Sequence, residues 1–368
     1  MEKVGVGIVG AGQAGRVHAL AVGMLNARLV GIVASSPGRS AEASAAFGAE
    51  RVFADAAELI ADPAVDVVHI CTPNDSHPGL IEAAFAAGKH VVCEKPLSVT
   101  VGDARRLATL AESSGLVAAT SFGYRYQPVV RDAQQRIRGG GIEPVRVIHG
   151  TYLQDWLLYA TDDNWRTSAA QGGRSRAFAD IGSHWCDLAE WMTGHRVTDL
   201  AAVTATVHEH RSSSNGATPA GNGTKVDTED VACVVFRATG GVVGTLTVSQ
   251  VSPGRKNRLW IEVDAAEESV TFDQEDAEWL WLGSRTANRV IARDGTNGHA
   301  PYASVSALPA GHAHGFVECF AELFNDVYHT VRTGEPGDFP SFEDGARSAA
   351  ITDAVLRAAA EHRWVTVP

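Results

Sequence analysis

Over the first third of the chain, short apolar runs alternate with alanine-rich stretches of helical period. Residues 4–9, 29–33, 65–71, 90–93 and 117–120 predict strands. Residues 16–25, 40–47, 77–87 and 101–114 predict helices, with Gly48, Gly88 and Gly115 placed to stop the last three. Repeated strand–helix–strand order with short connections implies a parallel sheet covered on both faces, in a first domain of residues 1–123.

From about residue 145 the segments become longer and rich in β-formers: 145–153, 200–208, 231–238, 242–251, 259–263, 269–272 and 279–282. Turns such as Gly240-Gly241 separate some of them and predict antiparallel pairing. Helices are predicted at 179–192, 314–332 and 342–361, and a last short strand at 364–367. Residues 124–368 thus read as an α+β domain for substrate binding and oligomerisation. Its sheet is large, mixed and mostly antiparallel, with helices on one face, and the helix 342–361 is expected to pack back toward the domain boundary. A sheet with one uncovered face invites a partner, so a homodimer or homotetramer built through it is expected. Residues 211–226, rich in Ser, Gly, Asn and Thr, predict a mobile surface loop.

The length of 368 residues suits two domains, and 45% hydrophobic with 20% charged residues describes a folded chain. A net charge of −12 without any basic run argues against nucleic acid as a partner. Cys71, Cys93, Cys186, Cys233 and Cys319 form no CxxC pair, which argues for a reducing compartment and against a disulfide framework or a thiolate zinc site. Neither a signal peptide nor a membrane-spanning run is visible, so a cytoplasmic location away from membranes is expected. The pairs His208/His210 and His312/His314 are too weak a signal for a metal, and none is expected. The second pair reads instead as the start of a helix.

Candidate chemistry begins at Gly10-Ala-Gly12-Gln13-Ala14-Gly15, directly after a strand and opening a helix. In that setting the first glycine makes a tight turn and the second admits a pyrophosphate. The third lets helix and strand pack closely, and the helix N-terminus faces the phosphates. This makes the first domain a Rossmann dinucleotide-binding unit. At the end of the second strand an Asp or Glu would hold the ribose 2′-OH of NAD, but the chain reads Ala34-Ser35-Ser36-Pro37-Gly38-Arg39. Ser35, Ser36 and Arg39 suit a 2′-phosphate, so the cofactor is NADP or NAD with NADP favoured.

Two other strands end in Cys71-Thr72-Pro73-Asn74 and Cys93-Glu94-Lys95-Pro96. Strand carboxyl ends are where ligands sit in an open parallel sheet, and a lysine near a cofactor cation can exchange protons near neutral pH. Asp180 and His184, at i and i+4, share a helix face, where imidazole is a suitable proton acceptor and the carboxylate can orient it. Taken alone, Lys95-Pro96 could be a turn and Asp180 a helix cap.

In combination and order, these residues resemble the glucose–fructose oxidoreductase / inositol dehydrogenase / rhizopine-catabolism (Gfo/Idh/MocA) family over essentially the full length. The motifs carrying the likeness are Gly10–Gly15, Thr72-Pro73-Asn74 with His77, Glu94-Lys95-Pro96, Tyr124-Arg125-Tyr126 and Asp180-x-Gly-x-His184. The resemblance implies an open-faced β-sheet in the second domain and an active-site set of Lys95, Asp180 and His184. His184 would act as acid/base, with Lys95 on the reacting oxygen and a cis bond before Pro96. It also implies that Thr72, Pro73, Asn74, His77 and Glu94 line the nicotinamide side. Arg125, Trp165 and Arg166 would then reach cofactor, and Tyr126 substrate. The aromatic stretch beginning at Trp156 suits a sugar face, or core packing equally. The implied activity is hydride transfer between a nicotinamide and a ring hydroxyl or ketone of a sugar or cyclitol. A non-catalytic sugar-pathway regulator and a glycosidase that recycles its cofactor remain alternatives.

Overall fold

The computed structural model describes residues 3–212, 224–293 and 311–368. Strands β1 (Val4–Val9), β2 (Ala27–Val33), β3 (Val67–Ile70), β4 (His90–Cys93) and β5 (Ala118–Thr120) form a parallel sheet in the order β2-β1-β3-β4-β5. β1 and β3 are buried along their whole length, as central strands covered on both faces must be. Helices α1 (Gln13–Gly23), α2 (Pro37–Phe47), α3 (Ala56–Ala61), α4 (His77–Ala86) and α5 (Val101–Ser114) connect them. Ser36 caps α2 ahead of Pro37, and Thr100 caps α5 by accepting from the Asp103 N–H at 3.1 Å. The short helix α3 escaped the periodicity because it spans under two turns. Its start is nevertheless written locally, in Asp55 accepting from the Glu58 N–H and Glu58 accepting from the Ala54 N–H.

The compact unit holding this sheet runs to Tyr126 and also includes Gly315–Arg347. Helix α9 (Phe316–Thr333) therefore joins the parallel sheet from far along the chain. Phe320, Phe324 and Tyr328, each four residues apart, bury one of its faces in the apolar cluster of β1 and α1.

The second unit comprises Gln127–His314 and Ser348–Pro368. It contains α6 (Pro128–Arg138), β6 (Val145–Leu153), α7 (Ala169–Gly172), α8 (Ser183–Thr193), β7 (Val197–Ala205), β8 (His210–Arg211), β9 (Thr224–Lys225), β10 (Val231–Ala238), β11 (Val243–Ser249), β12 (Arg258–Ala265), β13 (Glu268–Asp273), β14 (Trp279–Ser284), β15 (Asn288–Ala292) and β16 (Val365–Thr366). The last helix, α10 (Phe342–Glu361), begins in the first unit and ends in the second. Nine of these strands form a sheet in the order β15-β14-β13-β12-β6-β11-β10-β7-β16. Every pairing is antiparallel except β6 with β11. Burial alternates along β10, and Trp185 of α8 donates to the Trp260 carbonyl at 2.9 Å. There Gly150 admits the indole: a Cβ would lie 2.6 Å from its nitrogen. The other face leaves Val203, Val235 and Val243 exposed.

Several expectations shift. The strand expected at 200–208 is β7, and it stops at Ala205 because the Val207 and His208 N–H groups turn to the Asp230 carboxylate. The helix expected at 314–332 begins at Phe316 after an N-cap Gly315, so His312-Ala-His314 precedes it. The ends of the segment expected to be mobile pair as the ribbon β8–β9, and residues 213–223 lie outside the described residues.

Asp230 is fully buried between Arg176 and Arg211 and receives a hydrogen bond from each. Burial alone would raise its carboxyl, but the Arg176 hydrogen bond and charge, the Val207 N–H and the Arg211 charge hold it below the usual range. The ionised form thus stabilises the fold above about pH 4, and this contribution is lost as pH falls through the depressed value. Asp230→Asn leaves two buried guanidinium groups uncompensated and is expected to cost about 3–5 kcal/mol. Urea unfolding followed by tryptophan fluorescence measures it.

Candidate active site

Each glycine of the loop after β1 has a separate steric reason. Gly10 has φ +108°, and a Cβ on it would lie 2.4 Å from the Cys71 carbonyl oxygen. A Cβ on Gly15 would lie 1.9 Å from the Gly10 oxygen. At Gly12 nothing lies within 4 Å, so the space beside the first turn of α1 is open. No side chain caps that helix; Gly12 and Gln13 are exposed and Ala14 is half-buried. A pyrophosphate fits this cradle, which sits where strand order reverses between β1 and β3. At the end of β2, Ser35, Ser36 and Arg39 are exposed, and the Arg39 guanidinium donates to Ser35 Oγ at 3.2 Å.

Thr72, half-buried, accepts from Ser76 Oγ at 2.6 Å; Pro73 is exposed and Asn74 buried. His77, first residue of α4, is buried with Nδ1 3.0 Å from the Pro96 carbonyl and Nε2 3.0 Å from the Thr72 carbonyl. It ties together the turns after β3 and β4. Burial holds its pKa below the usual histidine value, against the two carbonyls and the charges of Glu94 and Asp75. Glu94 and Lys95 are half-buried, and the Lys95–Pro96 bond is cis, as the resemblance implies. Burial would raise the Glu94 carboxyl, but the His18 hydrogen bond and the Lys95 charge hold it low. Arg125 is buried and pairs with Asp344 at 3.1 Å, while Tyr126 is buried with its hydroxyl donating to Asp326 at 2.9 Å.

In the second unit Asp180 lies in a π-helical turn, Phe178–Gly182, that runs into α8. Such widened turns recur at functional sites. Gln250 Nε2 donates to Asp180 Oδ2 at 2.8 Å, and the Arg166 guanidinium lies 3.4 Å from Oδ1. Arg176 donates to Gln250 Oε1 at 3.4 Å, which extends the link to the buried Asp230. His184 is buried, its ring 6.4 Å from that of Tyr152. Arg166 stacks over Trp165 at 4.3 Å, and Trp156 donates to Gln154 at 2.8 Å. Arg211 holds the aromatic stretch by its backbone, donating to the carbonyls of Leu157, Tyr159 and Asp162. Gln250, Arg176, Asp230 and Arg211 are the residues that sequence reasoning missed, and no local pattern marks them. His149, Glu262 and Asp264 also cluster, half-buried on neighbouring strands β6 and β12, with His149 Nε2 3.7 Å from Glu262 and 3.4 Å from Asp264.

Residues 4–122 match the family described as an oxidoreductase family with an NAD-binding Rossmann fold, and residues 130–271 match the GFO/IDH/MocA C-terminal domain. The chain belongs to the Gfo/Idh/MocA oxidoreductase family. It is 32% identical to the levoglucosan dehydrogenase of Pseudarthrobacter phenanthrenivorans over 394 residues, covering 100% of this chain and 99% of that one. It is 26% identical to the inositol 2-dehydrogenase of Rhizobium meliloti over 365 residues, covering 98% of each. A solved levoglucosan dehydrogenase in complex with NADH and L-sorbose superposes with a TM-score of 0.93 at 29% identity, covering 100% of this chain and 99% of that one. Among the described residues no helix is long and apolar enough to cross a membrane.

Substitutions at two loop glycines separate ligand from fold. Gly12→Ala is expected to leave the melting temperature unchanged and weaken dinucleotide binding at least about tenfold, since its Cβ points into open space where the pyrophosphate would approach. Gly15→Ala is expected to destabilise the protein by about 1–3 kcal/mol through overpacking. Calorimetric melting and dinucleotide titration report the two effects.

Proposed function

We propose that this protein is a dehydrogenase or keto-reductase of a sugar, sugar derivative or cyclitol that uses a nicotinamide dinucleotide. The observation that carries the reading is the open glycine cradle at the reversal of strand order, in the same sheet whose β4 ends in Glu94-Lys95-Pro96. The sugar and cyclitol relatives support the substrate class. When bound, the nicotinamide supplies the hydride acceptor at C4. Lys95 hydrogen-bonds the reacting oxygen, and His184 takes the hydroxyl proton as the alcohol becomes a ketone. Asp180, held by Gln250 and Arg166, steadies the proton acceptor. Trp156 and Tyr126 are the proposed substrate contacts, and Arg125, Trp165 and Arg166 belong to the cofactor side. The uncovered face of the nine-stranded sheet, with Val203, Val235 and Val243 exposed, supports assembly into a homo-oligomer.

On the choice of cofactor, two observations pull apart. The solved relative carries NADH, which supports NAD. The end of β2 lacks an acid and offers Ser35 and Arg39, which supports tolerance of a 2′-phosphate. The ratio of kcat/KM for NADP over NAD decides between them. If NADP is used, Arg39→Ala is expected to lower that ratio about tenfold or more by removing a charge-assisted hydrogen bond, with NAD kinetics little changed.

The activity itself is tested by the growth of reduced-nicotinamide absorbance with a panel of anhydrosugars, aldoses and cyclitols. Lys95→Ala is expected to lower kcat by about a hundred- to ten-thousand-fold while dinucleotide affinity holds. Wild-type turnover in that variant removes Lys95 from the mechanism. Dinucleotide binding without any turnover across the panel favours the regulator or the cofactor-recycling glycosidase.

A further inference from the structure

Beneath the Glu94-Lys95 turn lies a line of polar groups that the proposed reaction does not use. Glu94 Oε1 is 3.0 Å from His18 Nε2. His18 Nδ1 is 3.0 Å from His69 Nδ1, and His69 Nε2 is 2.9 Å from the Tyr328 hydroxyl. The four groups come from the end of β4, from α1, from β3 and from α9, all within the first unit. His18 and His69 have no exposed surface and Tyr328 is 1% exposed. Phe324 packs edge-on against both imidazoles, with centroids at 4.7 and 4.5 Å.

Valence gives this line a direction. An ionised carboxylate only accepts, so His18 Nε2 carries a proton. If both rings are neutral, His18 Nδ1 must then accept, and His69 Nδ1 must donate to it. His69 Nε2 is left as an acceptor, and the Tyr328 O–H fills it. The reverse order requires a second proton on His18, a buried cation with only the Glu94 carboxylate at 3.0 Å to offset its desolvation. The states of His69 and Tyr328 agree with this order. Burial holds His69 well below the usual histidine range, so its ring is neutral. Burial, and then Cys71, push the Tyr328 hydroxyl well above its usual value, so it remains a donor.

We propose that His18, His69 and Tyr328 are positioning residues for the Glu94-Lys95 turn, acting as a one-way chain of hydrogen bonds from Tyr328 to the Glu94 carboxylate. The chain braces that turn against α1, whose N-terminus forms the dinucleotide cradle. Its placement depends on the reading of Lys95 given above, but its direction does not.

Two measurements on the full-length protein test it. Long-range proton–nitrogen correlation spectra of the 15N-histidine-labelled chain are expected to show His69 as the neutral Nδ1–H tautomer and His18 as the neutral Nε2–H tautomer. His69→Gln and His18→Gln serve to assign the signals. A doubly protonated His18, or His69 protonated at Nε2, overturns the chain. In kinetics, His69→Gln can still donate to one neighbour and accept from the other, whereas His69→Leu has similar bulk and can do neither. Leu is expected to lower kcat about tenfold relative to Gln, the rate equivalent of one lost hydrogen bond, with the KM for dinucleotide nearly unchanged. Equal kcat in the two variants means that the ring is merely packing and overturns the proposal. If the Leu variant does not fold, the wild-type spectrum still decides. That spectrum needs no turnover, so its failure counts against the chain, whereas silence with every sugar and cyclitol counts against the dehydrogenase reading.

Discussion

The three-way approach of Gly10, Gly15 and Cys71 governs the first unit. The Gly10 oxygen occupies the space a side chain on Gly15 would need, and Gly10 itself abuts the Cys71 carbonyl. Helix α1 can therefore start only where it does, pressed to the ends of β1 and β3 with its first N–H groups toward open space. Gly15 also sets the depth at which the rest of α1 lies. One turn further on, His18 is buried level with β3 and meets His69. Dinucleotide cradle and polar interior thus follow from the same close contact between backbones.

The second unit is organised around charge. Asp230 gathers Arg176 and Arg211 in a space closed to solvent, and each arginine carries the influence outward. Arg211 fixes the backbone of residues 157–162, and Arg176 reaches Gln250, which holds Asp180. A buried ion network of this kind contributes little net stability compared with an apolar substitute, but it confines the groups bonded to it to one geometry. The widened turn that carries Asp180 into α8 is rooted in the same network through the Glu229 carboxylate, which takes the backbone N–H groups of Arg176 and Phe178.

Membership in the family bounds the chemistry without choosing the substrate. Relatives of similar length are named a levoglucosan dehydrogenase and an inositol 2-dehydrogenase, and both of those compounds are rings bearing secondary hydroxyls. Discrimination among such rings rests on hydrogen bonds to individual hydroxyls, and a buried polar partner left unpaired by the wrong ring is the stronger source of selectivity.

The features legible along the chain were local in origin. Apolar runs marked β1, β6 and β10 at their observed bounds, and α10 at its full length. The glycine spacing marked the strand–turn–helix, and the turns after β3 and β4 announced themselves in Thr72-Pro73-Asn74 and Glu94-Lys95-Pro96. Each of these signals lies within a few residues, where period, capping and backbone sterics act. Long-range packing, by contrast, set the parallel pairing of β6 with β11, the addition of α9 to the first sheet and the contact of Gln250 with Asp180. The same holds for the His18–His69–Tyr328 line, whose members stand 51 and 259 residues apart. Those choices depend on strand order and on which faces are buried together, and a residue's chain neighbours carry no record of either.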